Sequence, residues 1–218
     1  MPLFKFCPDP AQQGVKTKTI KGIKKNMDAF NIYLAGVGGQ GIGLLSEIIL
    51  RAGDHAGLTV KGVDTHGLAQ RGGIVQSRIR MGRDVYSPLI AEGQADLSVA
   101  LERHEALRAM NLSLRDNGAL IYYNTVWQPL DVRLGRGGEV TEEAINGEAE
   151  LRGISVFKVF DPGLMDARTQ NITILAVIAE NNLVPGVGFE NYRSAMKDLM
   201  AGSMLEKNRA LFESKVTA

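Results

Sequence analysis

The sequence predicts an α/β fold: a three-layer α/β/α sandwich, Rossmann-like, with a mixed sheet. Three observations predict it. Short apolar runs alternate with stretches of helical apolar spacing through most of the chain. The first run enters a glycine cluster and is followed by a helix and a second strand, the order of a parallel crossover unit. One later segment alternates polar and apolar residues instead of running apolar, which marks an antiparallel member of the same sheet.

The elements follow in order. Phe30–Ala35 is a buried strand that ends in a tight glycine turn. Ile42–Ala56 places Leu44, Leu45, Ile48, Ile49 and Ala52 at helical spacing, and Gly57 closes the helix. Leu58–Val63 is the second strand, with Asp64 at its end. The segment from Thr65 to Gly73 is a glycine-rich loop. Ile74–Met81 then alternates, and Gly82-Arg83-Asp84 followed by Val85–Ile90 predicts a partly exposed hairpin. Asp96–Ala100 is a strand, Arg103–Leu114 a helix that Gly118 is expected to terminate, and Ala119–Tyr123 a strand. Residues 125–150 are weakly patterned and are expected to form an excursion from the core. Ile154–Phe160 is the last strand. Asp161-Pro162-Gly163 reads as a turn. Helices are expected over Ile172–Ala179, Asn191–Met200 and Met204–Phe212.

The chain has 218 residues, 44% of them apolar, which suits one α/β domain and is tight for two. Residues 1–26 carry Lys5, Lys16, Lys18, Lys21, Lys24 and Lys25 against the single acid Asp9, whereas the rest of the chain holds more acids than bases. The stretch 1–26 is therefore expected to be a disordered basic arm, and 27–218 a single domain that a start at Met27 would leave complete. The arm has no apolar segment of the signal-peptide kind. The net charge of +1 gives no field that favours nucleic acid or an anionic membrane as partner. No apolar run reaches the ~20 residues that span a bilayer.

Cysteine is the most restrictive count. Cys7 is the only one, so no disulfide forms within the chain, which fits a reducing cytoplasm. An iron–sulfur cluster takes about four cysteine ligands. His55, His66 and His104 lack zinc spacing. No metal site is expected in this chain.

Gly36-Val37-Gly38-Gly39-Gln40-Gly41 matches the G-x-G-x-x-G pattern between a strand and a helix. Glycines admit positive φ and let a ligand approach the backbone. The following helix directs free N–H groups and its positive dipole end at the turn, which favours phosphate. Gly36, Gly38, Gly39, Gln40 and Gly41 are thus the candidate cofactor-binding residues, and Asp64 stands about where a ribose-binding acid belongs. The competing reading is that these glycines serve only a tight turn and close helix–sheet packing. A second constellation, His66, Gln70 and Arg71 with Gly67, Gly72 and Gly73, is expected at the same rim of the sheet. Arg71 is a fixed cation able to clamp a carboxylate or phosphate. His66, Gln70 and Arg71 are the candidate catalytic residues, with a hydrogen-bonded subunit interface as the alternative. Glu102-Arg103-His104-Glu105 reads as a solvated helix start, and Trp127 with Tyr122-Tyr123 as packing.

Three strings occur in order: Gly-Val-Gly-Gly-Gln-Gly at 36–41, Asp-Thr-His-Gly-Leu-Ala-Gln-Arg-Gly-Gly at 64–73, and Tyr-Ser-Pro-Leu-Ile at 86–90. Together they resemble the gamma-type catalytic domain of pyruvate and other 2-oxoacid:ferredoxin oxidoreductases. The string beginning at His66 is most similar to the beta subunit of the indolepyruvate type. The resemblance covers about residues 30–213, through Asp96, Glu102 and Asn171 to the terminal helices. It implies an enzyme that decarboxylates a 2-oxoacid on thiamine diphosphate, passes electrons through iron–sulfur clusters to ferredoxin, and transfers the acyl group to coenzyme A. It also implies a large alpha subunit that carries the diphosphate and the clusters, so that this chain holds no tightly bound cofactor and meets ferredoxin only through the complex. The chain has no Gly-Asp-Gly thiamine-diphosphate motif. An independent NAD(P)-binding Rossmann-type dehydrogenase and a non-catalytic interaction protein are the alternatives. Homodimerisation of the isolated chain stays open.

Overall fold

A computed structural model describes residues 29–65, 73–126, 138–164 and 169–216. The expected arm 1–26 with Cys7, the residues His66, Gly67, Gln70, Arg71 and Gly72, and Trp127 lie outside the described residues.

The sheet has six strands: β1 (Phe30–Val37), β2 (Thr59–Thr65), β3 (Ile74–Gly82), β4 (Ala95–Ala100), β5 (Leu114–Tyr123) and β6 (Ser155–Val159). Their spatial order is β2-β3-β1-β4-β5-β6. Strands β1, β4, β5 and β6 run parallel, and β3 is antiparallel to both of its neighbours. The predicted mixed sheet is therefore present. Its order departs from a dinucleotide-binding sheet, because β3 separates β1 from β2.

The described residues hold six helices: α1 (Ile42–His55), α2 (Arg103–Leu112), α3 (Glu142–Arg152), α4 (Gln170–Glu180), α5 (Phe189–Leu199) and α6 (Gly202–Val216). β1 shows why they form two layers. Ile32 and Leu34 point into a core shared with α1, α4, α5 and α6, while Tyr33 and Ala35 point into a second core with α2 and α3. A strand covered on both faces has no polar face to present, hence its continuous apolar run. On α1 the buried side is Leu45, Ile48, Ile49 and Ala52. A Cβ at Gly53 would lie 2.8 Å from Val60 Cγ1, so glycine there lets the helix settle on the sheet.

Three expectations need correction. Ile74–Met81 does alternate, but its partners are β1 and β2, and residues 85–90 form no strand. Arg80 explains the difference: its guanidinium donates to Ser87 O and Leu89 O, tying that segment across the end of β3 as a loop. Gly118 does not terminate an element; β5 starts at Leu114 and passes through a register shift there, with Asn117 at φ 58°. The weakly patterned region 125–150 contains most of α3, capped by Thr141 and buried through Ile145 and Ala149. Among the described residues no helix is long and apolar enough to cross a membrane.

Candidate functional site

The four parallel strands finish on one rim, and the glycine turn leaves β1 there. Gln40 organises it. Its Oε1 accepts from the Val37 N–H at 2.7 Å, and its Nε2 donates to Leu101 O at 3.0 Å, just past β4. The side chain is 1% exposed, so Gln40 is a strut between two strand ends and its amide faces the protein interior. A Cβ at Gly36 would come within 2.9 Å of Gln40 Oε1 and of Ile42 Cγ1, which is why glycine precedes this fold-back.

Gly41 is fixed from the other side. It sits at φ 82°, and a Cβ there would lie 2.5 Å from Asn171 Nδ2. Asn171, at the start of α4, donates that amide to Gly41 O at 3.2 Å and accepts from the Ile172 N–H at 2.8 Å. Gly38 donates its N–H to Gly73 O at 2.8 Å, so the last residue of the second glycine motif lies against the first motif.

The glycines thus divide by role. Gly36 and Gly41 are required by close packing, as the competing reading held. Gly39, exposed at φ 104°, and Gly43, in the first turn of α1, have nothing within 4 Å of an added Cβ. Helix α1 carries no side-chain cap at its N-terminus, and its first backbone bond is Leu45 N–H to Gly41 O at 3.1 Å. The N–H groups of Ile42, Gly43 and Leu44 precede that bond and have no intrahelical partners. Among the described residues the outcome is a turn with open space at Gly39 and Gly43 at a helix N-terminus, suited to phosphate or carboxylate oxygens. Residues 36–44 themselves contribute no acid or base.

Glu102 to Glu105 is not a solvated helix start. Glu102 is fully buried and caps α2, accepting from the His104 and Glu105 N–H groups at 3.0 and 2.5 Å. His104 Nε2 accepts from the Val140 N–H at 3.3 Å, which leaves Nδ1 to donate to Glu102 Oε2 at 3.1 Å. Both ring nitrogens are thereby committed. Arg103 donates to Asn124 Oδ1 at 2.6 Å, and both reach Glu142 Oε1. Lys158 and Asn124 bond the Glu142 carboxylate and hold its pKa below the usual range. Burial pushes Glu105 up to about 7; Arg108 opposes the rise and Glu102 adds to it.

Asp64 does not meet the glycine turn as a ribose acid would. It accepts from Ser46 Oγ at 3.1 Å, on a strand two places from β1, roughly 10 Å across the sheet. Gln170 and Thr173, which flank Asn171, escaped sequence reasoning. Both are buried, and Gln170 Nε2 and Thr173 Oγ1 have no partner among the described residues. The available signal was a polar Gln-Asn opening an otherwise apolar helix. His66, Gln70 and Arg71 lie outside the described residues, between the end of β2 and Gly73. Among the described residues no group of three or more histidines, cysteines or carboxylates is placed to hold a metal ion.

The family model for pyruvate ferredoxin/flavodoxin oxidoreductase matches residues 31–217, from β1 through the last helix. The chain belongs to this family. Within the pyruvate ferredoxin/flavodoxin oxidoreductases it is 36% identical over 189 residues to indolepyruvate oxidoreductase subunit IorB of Archaeoglobus fulgidus, covering 82% of this chain and 89% of that one. It is 30% identical over 197 residues to the subunit of the same name from Thermococcus kodakarensis, covering 88% and 96%. The fold is shared with the gamma subunit of a keto/oxoacid ferredoxin oxidoreductase from Geobacter sulfurreducens, at TM-score 0.59, 18% identity, and coverage of 86% and 96%. It also matches 30% of a 2-oxoglutarate:ferredoxin oxidoreductase chain from Magnetococcus marinus, at TM-score 0.60, 18% identity and 87% coverage of this chain. This family member is accordingly a subunit of a 2-oxoacid:ferredoxin oxidoreductase, an oxidoreductase with an iron–sulfur protein as acceptor.

Proposed function

We propose that this chain is the small subunit of a thiamine-diphosphate-dependent oxidoreductase that converts indolepyruvate, or another aryl pyruvate, to the acyl-coenzyme A and reduces ferredoxin. The diphosphate and the iron–sulfur clusters belong to a large partner subunit in this reading; they supply decarboxylation and electron transfer. Two facts support it: the subunit name carried by the relatives, and the single cysteine of this chain.

One observation carries the role given to this chain's own residues. The glycine turn is held from behind by Gln40 and Asn171, leaving backbone rather than side chains facing outward. In the proposal the backbone of Gly38, Gly39 and Gly41 and the first turn of α1 receive an anionic group, either the coenzyme A phosphates or the substrate carboxylate. Gln40 positions that backbone. His66, Gln70 and Arg71 join from the loop that ends at Gly73, itself bonded to Gly38. The chain forms one wall of a shared site: it binds, orients and excludes water.

The test is reconstitution with the large subunit and a panel of 2-oxoacids, with ferredoxin or a viologen as acceptor. Activity is expected from the complex with aryl pyruvates and none from the isolated chain. Arg71→Ala is expected to weaken coenzyme A or 2-oxoacid binding at least tenfold. Unchanged affinity for both would remove Arg71 from the site.

A further inference from the structure

The arginines of this chain are distributed unevenly in one respect. Outside β3 and the turn after it, every described arginine has a carboxylate within 4.0 Å. Arg78, Arg80 and Arg83 have none among the described residues. Arg80 is held by neutral acceptors alone: Asn31 Oδ1, Ser87 O and Leu89 O. Arg78 lies over the Tyr33 ring at 5.5 Å.

The register places these cations together. Lys61 on β2 stands directly opposite Arg80, and Arg78 follows two residues along on the same face. Like charges in direct cross-strand pairing oppose folding, so the Lys61–Arg80 pairing does not itself stabilise the chain. Among the described residues no helix covers it: α2 and α3 bury β1, β4, β5 and β6 on this face and do not reach over β2 and β3. A pocket of about 90 Å³ opens at the border, its lining including Tyr33, Gln76, Arg78, Leu112 and Ser113 together with the acid Glu92. Beside the face, the segment tied down by Arg80 presents Tyr86 and Leu89 at 83% and 69% exposure. These residues belong to the Tyr-Ser-Pro-Leu-Ile string, which the glycine-turn site does not use.

We infer that the face formed by Lys61, Arg78 and Arg80, with Arg83 in the turn after β3 and Tyr86 and Leu89 at its edge, is a protein-docking surface that seats an acidic segment of the large partner subunit. This rests on the partner-subunit reading above. A row of cations beside exposed apolar anchors fits carboxylate side chains with an apolar neighbour. A second copy of this chain does not fit, because two such faces repel. An arginine held over an aromatic ring and facing a pocket is preset to receive one carboxylate.

The test uses the two subunits purified together and separately. Lys61→Glu with Arg83→Glu changes two exposed residues and is chosen to leave the fold intact, which thermal unfolding checks. Arg78→Glu with Arg80→Glu is the stronger variant. Lys197→Glu with Lys207→Glu, on helices of the opposite layer, is the control. Expected is a complex with the unmodified chain whose affinity falls with added salt. Lys61→Glu/Arg83→Glu is expected to weaken it at least tenfold and flatten the salt dependence, and the control to leave it unchanged. If the unmodified chain binds and the Lys61→Glu/Arg83→Glu variant binds equally, this inference fails and the subunit reading stands. If the unmodified chain does not bind, both fail. Nuclease-sensitive nucleic acid retained by the unmodified chain and lost by the variants would overturn the acidic-protein assignment.

Discussion

Asn171 and Gly41 are 130 residues apart, yet the Asn171 side-chain amide donates to the Gly41 carbonyl at 3.2 Å and occupies the space a Cβ at Gly41 would need. The contact joins the N-terminus of α4 to that of α1 and fixes the last glycine of the turn at φ 82°. The turn is therefore a tertiary feature as well as a local one.

Gly41→Ala is expected to destabilise the chain by about 1–3 kcal/mol from the left-handed backbone alone, with the steric conflict at Asn171 added. Asn171→Ala removes the hydrogen bond, worth about 1 kcal/mol. The double variant is expected to lose less than the sum, because the conflict disappears with the asparagine side chain. Urea unfolding of the four proteins measures the coupling. Strict additivity would mean that Asn171 does not press on this turn.

Gln40→Ala leaves the Val37 N–H and Leu101 O without partners in a buried position. The expected loss is about 2–4 kcal/mol, from two unsatisfied groups. Gln40→Glu removes the donor to Leu101 O and is expected to be at least as damaging above pH 5. A loss below about 0.5 kcal/mol for Gln40→Ala in denaturant unfolding would contradict the strut role.

Gly43→Ala separates ligand binding from packing. Nothing lies within 4 Å of the added Cβ and the residue is helical, so stability is expected to rise by about 1 kcal/mol. The same methyl group intrudes on the bare N-terminal turn of α1. Affinity for the anionic ligand in the assembled enzyme is expected to fall severalfold. A stability gain with unchanged KM for both coenzyme A and the 2-oxoacid would favour a turn that serves packing alone.

Glu105 gives a pH prediction. Burial raises its carboxyl from 4.5 to about 7 in the folded chain, so the folded state holds this proton more tightly than the unfolded state. Its contribution is fully present below pH 4.5 and is lost as pH rises toward 7; above that, the buried charge disfavours folding. Glu105→Gln imitates the protonated form. The Tm difference between Glu105→Gln and the unmodified chain is expected to be small at pH 5 and to widen in favour of the variant at pH 8. A constant difference across that range would refute the assignment.

Local pattern made much of this protein legible. The apolar run at Phe30–Ala35, the spacing from Leu44 to Ala52 and the glycine turn between them record the immediate needs of a strand, a helix and a tight connection. The alternation of Ile74–Met81 announced a mixed sheet for the same reason: side chains on a pleated strand alternate faces whatever the strand pairs with. That indifference to partner is also why the alternation is compatible with a hairpin to 85–90, whereas these residues pair with β1 and β2. The α3 helix was hidden because its amphipathic signal is weak and only Ile145 and Ala149 are buried.

By itself the sequence determined the fold class, the position of the glycine turn and, with a single cysteine, that this chain alone does not ligate a four-cysteine cluster. Only the tertiary structure decided how the glycines divide, with Gly36 and Gly41 against protein and Gly39 and Gly43 against open space. It also decided that Glu102 and Glu105 are buried, that Gln40 faces inward, and that Asp64 stands two strands from the turn. The physical reason is range. Strand and helix periodicity are set by neighbours within a few residues, whereas burial, strand order and the space beside a glycine are set by residues distant in the chain, as Asn171 is from Gly41.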